Sequence, residues 1–275
     1  MLLDQLSTLS HPERMRVFRL LMRRCPDAVP AGEVAQVLGF KPSTTSVYLA
    51  ALHKAGLIQQ SRAGTSLRYA ADLGGAREMV AQLFLDCCNG RPDLCPPAMV
   101  DPNTRMGPMS DQKHTVLFIC TGNSARSIIA EAIMRHTAGD RFKVFSAGTR
   151  PTSELNPFAV EMLKQKGIDP GDLRAKNVAE FQGPDAPHLD FVFTVCDLAA
   201  NEECAPWDGQ PISAHWGLPD PVKAEGTDAE KRLAFQQTYG AMRNRISAFT
   251  ALPLETLSRA SLQQEVDQIG RTKDH

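Results

Sequence analysis

Long apolar runs are missing from this 275-residue chain; no segment supplies the ~20 consecutive apolar residues that a membrane-spanning helix needs. The opening stretch, MLLDQLSTLSHPER, lacks the layout of a secretory signal. Internal repeats and low-complexity tracts are absent too, which excludes solenoids and disordered arrays. Neither sign of charge dominates: the formal net charge is −1, so the chain as a whole is neither a polycation nor a polyanion. A cytoplasmic protein is the expectation. In that compartment Cys25, Cys87, Cys88, Cys95, Cys120, Cys196 and Cys204 stay reduced, available for catalysis, redox cycling or soft-ion binding rather than structural disulfides.

The small net charge hides an asymmetry. Residues 1–97 carry 11 Lys/Arg against 8 Asp/Glu, and the remainder is acidic. A modestly basic first part is compatible with nucleic acid. Residues 96–113, PPAMVDPNTRMGPMSDQK, show no periodicity and read as a linker between residues 1–95 and 114–275.

Ahead of the linker the pattern is mainly helical. Met15, Phe18, Leu21 and Met22 recur at helical spacing. Ala31–Leu38 makes a short helix closed by Gly39, and a second helix starts near Pro42 and stops before Gly56. LIQQSRAGTSLRYA reads as a hairpin about Ala63-Gly64, and a last helix aligns Val80, Leu83, Phe84 and Cys87. That order predicts a winged helix–turn–helix. After the linker, strands and helices alternate: VLFI, a helix over Ala125–Thr137, FKVFSAG, a helix over Pro157–Lys166, FVFTV, and a helix over Ala229–Phe249. Such alternation predicts an α/β fold with a parallel sheet covered by helices on both faces.

The chemistry concentrates in FICTGNSARSIIAEA. A strand ends in Cys120, a Gly-containing loop follows, and Arg126-Ser127 opens a helix. A loop between a parallel strand and its helix lies at the carboxyl edge of the sheet, where such folds bind ligands. Backbone N–H groups of Thr121, Gly122, Asn123, Ser124, Ala125 and Arg126 can converge on a tetrahedral oxyanion, with the Arg126 guanidinium as a fork for two oxygens. The same field predicts a lowered pKa and a thiolate at Cys120, with Ser127 donating a hydrogen bond to the sulfur. A hydrolase needs only this cysteine, whereas a reductase needs thiols in pairs. FTVCDLAANEEC offers two more, Cys196 at the end of a strand and Cys204 eight residues on.

Residues 114–250 resemble the low-molecular-weight tyrosine phosphatases, and CDLAANEEC with HWGLPDP resembles their thiol-relay arsenate reductase branch. The resemblance implies Asp220 as general acid. It also implies a relay in which Cys120 attacks arsenate, Cys196 attacks Cys120, and Cys204 moves the disulfide outward to thioredoxin or another thiol reductant. Two departures stand out. Cys196 and Cys204 are one residue further apart than in the best-known thioredoxin-coupled members, and Ala125 replaces a second loop cysteine. No tightly bound cofactor is implied, but some relatives hold a potassium ion through residues matching Asn123, Glu131 and Ser146.

In the first part, a recognition helix over Ser43–Ala55 places Lys41, Ser43, Thr44, Ser46 and Tyr48 toward a major groove, with Arg62 and Arg68 of the hairpin on backbone or minor groove. HPERMRVFRLL, AGEVAQVLGFKPSTTSVYLAALHKAGLI and RYA resemble the ArsR/SmtB family of metal-responsive repressors, which implies a homodimer on operator DNA. LFLDCCNGRPDLC gathers Cys87, Cys88 and Cys95, a set that suits a thiophilic ion, with arsenite as effector. The two resemblances together imply an arsenic-responsive repressor fused to an arsenate reductase. The alternative is a regulator fused to a protein tyrosine phosphatase.

Overall fold

The computed structural model describes residues 1–87, 113–152, 154–183, 185–202, 207 and 209–272. The chain divides into two compact units, Met1–Thr104 and Arg105–His275. The expected linker lies outside the described residues except for Lys113, as do Cys88, Cys95 and Cys204.

The first unit runs α1 (Leu2–Leu9), α2 (Pro12–Arg23), β1 (Val29–Pro30), α3 (Ala31–Leu38), α4 (Pro42–Lys54), β2 (Ile58–Ala63), β3 (Ser66–Ala71) and α5 (Leu73–Gln82), then one wide helical turn over Leu83–Cys87. Local chemistry sets the boundaries. The His11 ring accepts a hydrogen bond from the Glu13 N–H at the start of α2, with Pro12 in the first turn. Gly39, at φ +71°, ends α3 in the left-handed conformation that a glycine adopts without penalty. The hairpin turns at Gly64-Thr65 between paired Ala63 and Ser66, and the antiparallel sheet has the order β1-β3-β2. Val17, Leu20, Leu21, Val34, Leu38, Leu49, Leu52, Leu57 and Tyr69 form the core. The α2 face is therefore rotated from expectation: Met15 and Phe18 are half-buried and Met22 is exposed, because α3 and α4 pack on the Val17–Leu20–Leu21 side.

The second unit runs β4 (His114–Cys120), α6 (Arg126–Ala138), β5 (Phe142–Gly148), α7 (Pro157–Gln165), β6 (Phe191–Thr194), α8 (Asp197–Asn201), β7 (Ile212–His215), α9 (Asp228–Thr250) and α10 (Arg259–Gly270). All neighbouring strands are parallel, in the order β5-β4-β6-β7. Every residue of β4 is buried, as a central parallel strand covered on both faces requires. Helix α6 is buried from Ser127 through Met134, between β5 on one side and α9 on the other, and so reads as apolar almost all round. Strand β7 and the short α8 were not anticipated. The C-terminal segment completes this unit: Leu262, Val266 and Ile269 join its core, and the Trp216 indole donates to the Val266 carbonyl at 2.9 Å.

The order β5-β4-β6-β7 fixes the site. From β4 the chain goes first to one side (β5) and later to the other (β6, β7), so the crevice beyond the carboxyl end of β4 is the topological switch point. Cys120 is the last residue of that strand.

Candidate active site

Four carbonyls of the loop after β4 are tied outward. The N–H groups of Thr149, Arg150, Thr152 and Asn156 donate to the carbonyls of Cys120, Thr121, Gly122 and Ser124, at 2.9–3.1 Å. With its carbonyls held from outside, the loop presents its N–H groups to the concave side, the arrangement that cradles an anion. Asn123 makes the bend with a left-handed φ of 46°, and its N–H lies 3.1 Å from the Cys120 sulfur. Gly148 lets the loop lie this low. A Cβ there would sit 2.6 Å from the Thr121 carbonyl oxygen and 3.0 Å from the Asn123 Cβ. Helix α6 begins at Arg126, so its positive end also faces the cradle.

Cys120 is buried, and its sulfur lies 2.8 Å from the Ser127 hydroxyl, as the sequence predicts. Its protonation corrects the expectation. Burial pushes the Cys120 thiol up from its ordinary value; the Ser127 hydroxyl pulls it down, the charge of Cys196 pushes it further up, and the backbone N–H groups of Ser127 and Asn123 pull down again. The guanidinium expected to favour the thiolate is engaged elsewhere. Arg126 donates to the Leu218 carbonyl at 3.0 Å and pairs with the Asp220 carboxylate at 2.8 Å. Asp220 also caps the short turn that follows it, accepting from the Val222 N–H at 3.3 Å. The arginine is held against the acid loop.

Cys196 is buried and caps the N-terminus of α8. Its sulfur lies 3.5 Å from the Thr121 hydroxyl and 3.4 Å from the Ala199 N–H. It thus stands at the same sheet edge as Cys120, two residues beyond the end of the neighbouring strand β6. Small surface contacts hold α8: Glu202 pairs with Arg150 at 2.7 Å, and Asp197 pairs with the buried His215 at 3.0 Å, which in turn meets Thr194 at 2.8 Å. Gly217 permits this packing, since a Cβ there would lie 2.5 Å from the His215 Nε2.

Behind the loop lies a buried polar chain that the sequence reading only partly anticipated. Asn123 donates to Ser127 and Ser146, both at 2.8 Å, and Ser146 donates to Glu131 at 2.5 Å. The Lys176 ammonium lies 3.1 Å from the same Glu131 oxygen. Lys176 went unrecognised because a lysine in a polar stretch such as LRAKN normally faces water. Gly148 and Thr149–Asn156 were missed for a similar reason: nothing local marks a residue as the brace of a distant loop.

In the first unit, Lys41, Ser43, Ser46, Arg62 and Arg68 are exposed, and Thr44 is half-buried. Tyr48 is turned partly toward the body, its ring 5.2 Å from that of His11 and 5.6 Å from that of Phe40. Cys87 is exposed at the end of the turn after α5.

A buried strand-end cysteine, an outward-braced loop, an arginine and an acid are the groups that nucleophilic attack on a tetrahedral oxyanion requires. The chain belongs to the low molecular weight phosphotyrosine protein phosphatase family, whose pattern matches residues 115–267 and so reaches into α10. It is 38% identical over 138 residues to an arsenate reductase of Bacillus licheniformis, across 50% of this chain and 95% of that protein. It is 36% identical over 134 residues to an arsenate reductase of Bacillus subtilis, across 49% of this chain and 93% of that one. Among solved structures, it is similar to an arsenate reductase from Archaeoglobus fulgidus at 24% identity, over 48% of this chain and 98% of that one, with a TM-score of 0.37.

Proposed function

We propose that the second unit is an arsenate reductase of the thiol-relay type, joined to a first unit that reads DNA and senses arsenite. The observation that carries the reductase reading is Cys196, a second buried thiol on the Thr121 hydroxyl beside the nucleophile. Hydrolysis has no use for it; two-electron reduction does.

Incoming arsenate takes the loop N–H groups and draws Arg126 off Asp220. The Cys120 proton passes by way of the bound oxyanion to the freed Asp220 carboxylate. Cys120, as thiolate, attacks arsenic; an arsenic–oxygen bond breaks, and Asp220 protonates the departing oxygen, which leaves as water. Cys196 next attacks the Cys120 sulfur. The sulfur–arsenic bond breaks, its electron pair stays on arsenic, and arsenite leaves behind a Cys120–Cys196 disulfide. Cys204 attacks Cys196, restores the Cys120 thiol and moves the disulfide to Cys196–Cys204, which thioredoxin or another dithiol reduces. The last steps require α8 to move. An exposed pair such as Arg150–Glu202 is worth only about 0–1 kcal/mol and releases it readily.

The first unit is read as a winged helix–turn–helix of ArsR/SmtB type. In support, α4 follows α3 after a tight turn and exposes Lys41, Ser43 and Ser46, while Arg62 and Arg68 stand on the hairpin. Apolar surface left on the terminal helices supports a homodimer: Leu3 is 80% exposed, and Leu6, Val80 and Leu83 are exposed as well. Arsenite bound by Cys87, Cys88 and Cys95 then changes the dimer and releases the operator.

The test is arsenate-dependent NADPH oxidation with thioredoxin and thioredoxin reductase, wild type against Cys196→Ser. Loss of turnover in the variant is the expected result. Hydrolysis of an aryl phosphate that survives Cys196→Ser, with no arsenate turnover in wild type, returns the unit to the phosphatases, for which Cys120, Arg126 and Asp220 suffice. The sensing half is tested separately: operator affinity that does not fall when arsenite is added rejects it.

A further inference from the structure

The resemblance implied a potassium ion held by Asn123, Glu131 and Ser146. Those side chains do converge, but they do not fit a metal. Asn123 Oδ1 accepts the Lys176 N–H at 2.7 Å. Glu131 is completely buried; its Oε2 accepts from Ser146 and faces the Lys176 ammonium, and its Oε1 is paired with Arg135 at 2.5 Å. Asn123 Oδ1 and Glu131 Oε2 are thus already engaged, and Glu131 Oε1, which accepts no hydrogen bond, faces the Arg135 guanidinium instead of open space for a metal.

We propose that the Lys176 ammonium is the resident monovalent cation of the oxyanion loop, a positioning residue that lets this site work without alkali metal. The side chain is 7% exposed. Its Nζ meets the two kinds of oxygen that ligate such cations, the Glu131 carboxylate at 3.1 Å and the Arg174 carbonyl at 3.0 Å. The backbone on either side of the charge is fixed to the loop. The Lys176 N–H donates to Asn123, and the Lys176 carbonyl accepts from Gly148 at 2.8 Å, beneath that loop. From the ammonium, hydrogen bonds run through Glu131, Ser146, Asn123 and Ser127 to the Cys120 sulfur. Loss of the ammonium leaves part of the Glu131 charge buried without compensation, and the chain relaxes at its first link. The asparagine that bends the loop is the third link, so the cradle loosens with it.

The activity readout rests on the reductase reading; the stability and anion-binding readouts do not. The full-length protein is measured in potassium chloride and in choline chloride at equal ionic strength. The measurements are melting temperature, affinity for inorganic phosphate, and arsenate turnover. Wild type is expected to be the same in both salts to within about twofold. Lys176→Met is expected to melt lower and to lose about tenfold or more in phosphate affinity and kcat/KM. In Lys176→Ala, methylammonium or potassium is expected to restore part of both, and choline none. A wild type that needs potassium overturns the proposal, as does a Lys176→Met protein that matches wild type. Loss in Lys176→Ala that no small cation restores reduces the lysine to a packing strut and also overturns it. If the truncations do not fold, Lys176→Arg and the wild-type salt comparison decide. Absent arsenate turnover in every protein, with the phosphate and melting responses intact, rejects the reductase reading and leaves this one standing.

Discussion

Substitution of Gly148 by alanine tests the geometry of the cradle with a single methyl group. The backbone of Gly148 is not left-handed, so alanine is acceptable there as a conformation and the perturbation is purely steric. The new Cβ meets the Asn123 Cβ at 3.0 Å and the Thr121 oxygen at 2.6 Å. Carbon contacts are optimal at roughly 3.5–4.0 Å, so the loop retreats by about half an ångström or more. Both neighbours belong to the loop that carries the anion-binding amides, and neither is the free end of a long side chain that might swing away. Overpacking of this kind costs about 1–3 kcal/mol. For a unit of this size that lowers the melting temperature by roughly 2–12 °C. Displacement of a reacting group by about 1 Å costs on the order of a hundredfold, so half of that shift is expected to lower kcat/KM by about tenfold to a hundredfold. Gly240 is the control: it lies within α9, and a Cβ there meets nothing within 4 Å. Gly240→Ala is expected to stabilise by about 0.5–1 kcal/mol with unchanged turnover. The assay is arsenate turnover together with thermal unfolding. A Gly148→Ala protein with wild-type kcat/KM refutes the account of how the loop is held.

Asp220→Asn removes the proton donor and frees Arg126 from its ion pair; kcat falls by about a hundredfold or more while phosphate binding, followed by calorimetry, does not weaken. If binding weakens in step with kcat, the acid role is wrong. Because burial pushes the Cys120 thiol up, its alkylation by iodoacetamide, followed by mass spectrometry, is slow at neutral pH and rises as pH climbs beyond the ordinary thiol value. Equal rates at pH 6 and pH 9 contradict this. Burial also raises the pKa of Asp267, against the pull of Gln263 and Arg271. A carboxyl with a raised folded-state pKa costs nothing while both states are protonated, and begins to cost stability as pH rises through the carboxylate range. Asp267→Asn therefore raises the melting temperature at pH 7, and the gain disappears in acid; a gain independent of pH removes the electrostatic explanation.

Much of this protein is local and was therefore legible in its sequence. The α3 boundaries follow from the left-handed Gly39, and β5 from an apolar run bounded by charge and glycine. The nucleophile, the loop and Arg126 lie within seven consecutive residues, and a strand–loop–helix at the carboxyl edge has its chemistry written into its spacing. The position of Cys196 could be read too, because it follows a strand whose pattern puts it in the same sheet. What escaped was decided by groups far apart in the chain. Strand β7 is four residues beside a polar loop, too short for a period, and exists because β6 offers an unpaired edge. The Cys120 proton depends on burial rather than on the loop alone, and Arg126 turns to Asp220, ninety-four residues later. Lys176 looks like a solvated lysine until Glu131, on helix α6 and wholly enclosed, needs a counter-charge. A sequence displays which groups are near in the chain. Desolvation and ion pairing depend on which are near in space, and only the packed tertiary structure decides that.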